Sequence, residues 1–278
     1  MTSPSVTAYL RSRGGTGPWT IDGSRADGFA GAVVIPAYAE GDNLFATLAS
    51  LARNPPELLS GFLTLVVINN RPDAPVADRE DNLTTLRRLA ALRGLTSLQL
   101  GWVDAATTGR ELPPGGGVGV ARKIGLDLAL GRLAFDGPDP LLVCLDADTL
   151  VRPDYLPAIV AHFAAHPGGG AIIPFCHQAG ETTGHDEAIV RYELFLRSYV
   201  LGLALAGSPY AFHTVGSAMA CRASAYVRMG GMNRRVAGED FYFLQQLHRT
   251  VGVAPLTGTV VFPSARSSHR VPFGTGRS

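Results

Sequence analysis

Leu141-Leu142-Val143-Cys144-Leu145-Asp146-Ala147-Asp148 is the stretch on which the fold turns. Leu141 to Leu145 is a short, continuously apolar run, as expected of a strand covered on both faces, and it ends directly in Asp146. In an extended segment residues two apart point the same way, so both carboxylates can face one ion. Hard oxygen ligands favour Mg²⁺ or Mn²⁺, which bridge to phosphate oxygens. An ion there would neutralise charge growing on a departing diphosphate, which is Lewis-acid catalysis. The bland alternative is a solvated turn that caps the following helix.

Upstream, Ala32 to Ile35 is a second such run, ended by Pro36. Leu44, Leu48 and Leu51 follow at helical spacing until Asn54-Pro55-Pro56 stops the helix. Strands at 63–68 and 97–103 flank a helix at 80–92, and a Gly/Pro-rich loop at 113–117 leads into a helix over 121–133. This alternation predicts an α/β fold with a mostly parallel, Rossmann-like sheet flanked by helices, whose ligands sit at the carboxyl ends of the strands. Residues 1–28, polar and rich in Gly, Ser and Arg, read as a flexible arm before a single domain over 29–278. That domain divides into a nucleotide-binding half, 29–150, and a mixed acceptor half, 151–278.

In the second half the pattern predicts strands at 171–174, 215–221 and 259–262, and helices from about 186 and over 239–249. Ile189, Tyr192, Leu196, Tyr199 and Leu203 form one apolar face of the first helix. That face reads as packing on the sheet, with an acceptor-binding wall as the sharper alternative. The stretch 174–186, with His177, Gln178 and His185, reads as a mobile lid, an acceptor loop or a plain polar connection.

Of 278 residues, 46% are hydrophobic and 17% charged, which predicts a sizeable core and argues against disorder. With 24 basic and 23 acidic residues and no like-charge block, nucleic-acid binding is not expected. Cys144, Cys176 and Cys221 lack metal or disulfide spacing and read as reduced, buried residues of a cytoplasmic protein. Neither a signal peptide nor a membrane-spanning segment is read, which leaves room for peripheral membrane contact; oligomeric state is not readable.

Other residues fit the same chemistry. Glu239-Asp240 follows Gly238 at a helix start, where carboxylates are favoured as caps, or where one serves as a general base. His269 can serve as a third metal ligand, with Arg266 and Arg270 holding phosphates. Gly115 to Gly119 lacks a full GxGxxG because Arg122 stands at the third glycine's place, and no Walker-type loop is present. A dinucleotide-dependent oxidoreductase is therefore disfavoured.

Together these segments resemble the GT-A glycosyltransferases, particularly family 2. Val33-Val34-Ile35-Pro36-Ala37-Tyr38-Ala39-Glu40 resembles the first-strand signature, and Gly117-Val118-Gly119-Val120-Ala121-Arg122 the G-x-G-x-A-R segment. Leu145 to Asp148 resembles the DxD strand end, and Gly230-Gly231 followed by Gly238-Glu239-Asp240 the GG…ED pattern. The resemblance implies a metal-dependent, inverting transfer of a sugar from a nucleotide-diphosphate donor to an acceptor hydroxyl. It places Pro36, Ala37, Tyr38 and Glu40 around base and ribose, Arg122 near the nucleotide, and Asp146 toward the ribose and metal. Asp148 becomes the main metal ligand with His269 as a late one, Asp240 the base, and Glu239 its support. Where the family often has an aspartate after the second strand, Asn70 stands here; it can still donate and accept hydrogen bonds to a base. The absence of a QxxRW motif and of following membrane helices disfavours a processive synthase. Two other readings are a nucleotidyltransferase on a sugar phosphate and a non-catalytic sugar-nucleotide-binding relative.

Overall fold

A computed structural model describes residues 3–180, 182–236 and 238–266. The chain opens with α1 (Pro4–Arg13) and β1 (Asp22–Gly23), then alternates through β2 (Gly31–Ala37), α2 (Asp42–Leu51), α3 (Pro56–Gly61), β3 (Phe62–Asn69) and α4 (Val76–Ala91). β4 (Gln99–Ala105), α5 (Val118–Leu130) and β5 (Leu141–Cys144) complete the first half. β6 (Leu150–Val151), α6 (Tyr155–Ala165), β7 (Gly170–Ile172), α7 (Thr183–Leu205) and β8 (Met219–Arg222) follow. α8 (Ala223–Met229), α9 (Glu239–Val251), β9 (Val253–Pro255) and β10 (Val261–Phe262) end the described chain.

One sheet runs through both halves in the order β1-β4-β3-β2-β5-β8-β7-β9. β4, β3, β2 and β5 run parallel to one another, whereas β1 is antiparallel to β4 and β8 runs antiparallel to β5 and to β7. The expected parallel first half and mixed second half are therefore both present. Strand order reverses beside β2, with β3 on one side and β5 on the other, which opens a crevice at the carboxyl ends there. β10 and β6 form a separate, antiparallel two-stranded sheet.

Strand alternation feeds two cores. Val33 and Ile35 of β2 pack with Leu44 and Leu48 of α2 and Ile159 of α6. Ala32 and Val34 pack on the opposite face with Ile124 of α5 and Leu244 of α9. Covering both faces is what permits strands with no polar side to the sheet.

Two elements depart from the sequence reading. The N-terminal segment is docked rather than a loose arm: Val6 and Tyr9 are buried, and the Tyr9 hydroxyl donates to Asp127 Oδ1 at 2.8 Å. Lys123 Nζ donates to the Tyr9 hydroxyl at 2.8 Å, Gly15 N donates to Asp127 Oδ2 at 2.9 Å, and β1 pairs with β4. α7 also departs: among its side chains Ile189 alone is buried and Leu196 packs partly buried against the core, so most of its apolar face is not covered by the sheet. Of the cysteines, Cys144 and Cys221 are buried as expected, but Cys176 is exposed beyond the end of β7.

Candidate active site

The carboxyl ends of β2, β3 and β5 open on a cavity of about 480 Å³. Along β2 the alternation sends Pro36 and Tyr38 to this cavity and Ala37 into the core, where its carbonyl accepts from Asn69 Nδ2 at 3.0 Å. Ala37 therefore does not line the site, contrary to its expected role. The chain then turns sharply at Ala39, whose φ of 51° lies in the left-handed region and whose N–H donates to Asn82 Oδ1 at 2.9 Å. That turn delivers Glu40 to the cavity. Asn70 lines it too, but its amide already joins loops: Nδ2 donates to the carbonyls of Arg71 and Ala106, and Oδ1 accepts from Asn82 Nδ2 at 2.9 Å.

Asp146 and Asp148 both reach the cavity, though by a turn and not by strand alternation. β5 ends at Cys144, and Thr149 N donates back to the Asp146 carbonyl at 3.2 Å. Thr47 of α2 pins the turn by donating from Oγ1 to the Ala147 carbonyl at 3.0 Å. Behind it lies Arg122 of α5, fully buried and ion-paired with both Asp146 and Glu239. Gly216 makes room for this guanidinium, since a Cβ there would sit 2.5 Å from Arg122 Nη2.

Crowded carboxylates set the electrostatics. Burial works against the charge of Arg122, but Asp146 and Glu239 outweigh it and hold the guanidinium protonated above its ordinary range. Burial pushes the Asp146 carboxyl up, Arg122 opposes this, and the charge of Asp148 adds to it. Asp240, beside Glu239 at the start of α9, is pushed up to about 7, first by burial and then by the charge of Glu239. A carboxyl poised there can take a proton near neutral pH.

Arg266 approaches from the far end of the chain. Its Nε and Nη2 donate to Asp148 Oδ2 at 3.1 and 3.0 Å, and Nη2 also pairs with Glu40. β10 places this segment, and Gln178 ties it down by donating to the Asp148 carbonyl at 3.0 Å and the Phe262 carbonyl at 2.7 Å. Gln178 therefore sits in an anchored stretch and not in a free lid. His269 and Arg270 lie outside the described residues.

Arg71 and Ser217, which the sequence does not single out, face the cavity, and so do His177 of the 174–186 stretch and Tyr192 of the α7 face. His177 Nδ1 lies 2.9 Å from Glu193 Oε1 of α7, and the buried Ser217 Oγ has no hydrogen-bond partner among the described residues. Ser217 is thus a polar group available to a ligand.

Among the described residues no three His, Cys, Asp or Glu side chains converge as a preformed metal site. The donor set nonetheless fits a hard cation. Glu40, Asp146, Asp148, Glu239 and Asp240 face the cavity, against the guanidinium groups of Arg71, Arg122 and the adjoining Arg266. An anionic ligand entering this acidic surplus needs added positive charge, and Arg266 already shows a cation held at the Asp148 carboxylate.

Residues 141–275 match the model of Glycosyl transferase family group 2. Among curated proteins none matches the chain. The fold is similar to that of S. aureus TarS 1-349 in complex with UDP-GlcNAc, with a TM-score of 0.57 and 14% identity over 86% of this chain and 60% of that one. It is also similar to mannosyltransferase PcManGT from Pyrobaculum calidifontis in complex with GDP-Man and Mn²⁺, with a TM-score of 0.54 and 16% identity over 95% of this chain and 64% of that one. The chain thus spans about 60% of the length of TarS 1-349. Residues 141–275, just under half of the chain, thus match a family 2 glycosyltransferase model, and the fold as a whole is similar to that of these enzymes.

Proposed function

We propose that this domain moves a sugar from a nucleotide-diphosphate donor to an acceptor hydroxyl, using a divalent cation and inverting the anomeric centre. The observation that carries this reading is the convergence of Asp146, Asp148 and Asp240 on one cavity, with the Asp240 carboxyl pushed up to about 7. The bound species of the two similar structures, UDP-GlcNAc in one and GDP-Man with Mn²⁺ in the other, support the donor class and the ion.

Tyr38, Glu40, Asn70 and Arg71 form the wall for base and ribose, and Asp148 with Asp146 would hold the ion. When bound, Mn²⁺ or Mg²⁺ neutralises charge on the diphosphate leaving group. With an ion at Asp148, Arg266 would be free to pair with phosphate oxygens; Arg270, as a second phosphate partner, and His269, as a third metal ligand, lie beyond the described residues. Asp240 takes the acceptor hydroxyl's proton as the oxygen bonds to the anomeric carbon and the bond to the diphosphate breaks. The ion-pair chain from Asp146 through Arg122 to Glu239 links the metal-side turn to the start of α9, which carries Asp240. Leaving group and base on opposite sides of the sugar is the arrangement inversion requires.

Turnover of a nucleotide sugar by purified Asp148→Ala tests the assignment. Transfer is expected to fall to background with the fold intact. Unaltered turnover that still requires metal would refute it.

A further inference from the structure

A second cavity, of about 210 Å³, lies between α7, the segment 210–215 and the first turn of α9. Its character differs from that of the first. Phe195, Leu196, Tyr199, Leu203, Phe212 and Phe241 supply much of its wall, and among the described residues no Asp, Glu, Lys or Arg lines it. His213, which does, is held toward its neutral form, first by burial and then by the charge of Arg197.

The two cavities are joined. Tyr192, Leu196 and Val215 line both, and Asp240 faces the first while the adjacent Phe241 faces the second. A molecule lying in the apolar groove therefore ends beside the carboxyl that takes the acceptor's proton. Phe195 and Tyr199, at 63% and 54% exposure, are large side chains left in water along this path. Aromatic and aliphatic groups lining a concave site beside a few polar ones are the common make-up of a small-molecule pocket. The volume is far too small for a protein element, and the uncharged wall disfavours an anionic body.

We propose that this groove is the aglycone subsite, and that the acceptor is a hydroxyl compound with a neutral alkyl or aryl body. The inference rests on the transferase reading, because it is that reading which makes Asp240 the reacting end. The body lies against Phe195, Tyr199 and Phe212, and the head passes Tyr192 into the first cavity.

The test uses hexyl, heptyl and octyl β-D-glucoside below their micellar concentrations, with free glucose as reference, titrated calorimetrically into the whole chain. Burying an added methylene is worth about 0.8 kcal/mol, so each step should tighten binding roughly fourfold. Phe195→Asp and Tyr199→Asp should each erase that gain. Leu201→Asp, on the exposed outer face of α7 and outside the groove, should keep it. Equal affinity for all chain lengths would overturn the subsite, as would a gain lost in Leu201→Asp but kept in both groove variants. Donor binding is followed separately in the wild-type chain. Metal-dependent nucleotide binding without a chain-length gain overturns the groove alone, whereas a gain without nucleotide binding supports the groove and overturns the transferase reading.

Discussion

Arg122 holds two carboxylates that would otherwise face each other across the site, and it does so fully buried. Arg122→Met removes the charge that compensates both, so a loss of about 3–5 kcal/mol is expected, read from the urea midpoint at constant m. Asp240 makes the complementary case for pH. From the ordinary aspartate range up to about 7 the folded chain keeps a proton that the unfolded chain has lost. Its contribution to stability is therefore full at low pH and lost as pH rises through 7. Asp240→Asn lacks this term, so its Tm should exceed that of the wild type by more at pH 8 than at pH 5, while transfer falls about 10²–10⁴-fold. The Asp146–Asp148 and Glu239–Asp240 pairs were legible because short spacing after a strand or before a helix declares them. Ser217 and Arg71 were not, since their only signal is position in space.

At the scale of elements, β2, β3 and β5 were readable because continuous apolar runs have few alternatives to a doubly covered strand. α6 was overlooked: Pro157 reads as a breaker, yet it stands in the first turn, where no backbone donor is needed. α1 was hidden in a polar segment because two side chains three residues apart, Val6 and Tyr9, do its docking. Tyr9→Phe deletes the bonds to Asp127 and from Lys123, so a cost of about 1–3 kcal/mol and faster amide exchange across α1 are expected. α7 shows the limit of periodicity, which identified an apolar face but not what covers it. Its Tyr192 and Leu196 line both cavities, and Leu196 also touches the core.

Over the whole molecule, strand–helix alternation was enough to expect the parallel half and a site at its carboxyl ends. The closure of that site was not legible. Arg266 meets Asp148 across 118 residues, and β8 enters the sheet antiparallel beside β5, neither of which local pattern encodes. Among the described residues no helix is long and apolar enough to cross a membrane, although α7 exposes Val190, Leu194, Leu201 and Leu205. At the carboxyl edge of the sheet, the proposed cation at Asp148 would let the acidic cavity accept a nucleotide diphosphate. Thermal unfolding with a panel of nucleotide sugars, including UDP-GlcNAc and GDP-Man, with and without Mn²⁺, tests it most directly. At saturating donor the wild type should gain about 5 °C with one nucleotide only when Mn²⁺ is present, and Asp148→Ala should gain nothing. An equal shift without Mn²⁺ or in Asp148→Ala, or no shift with any donor, would contradict it.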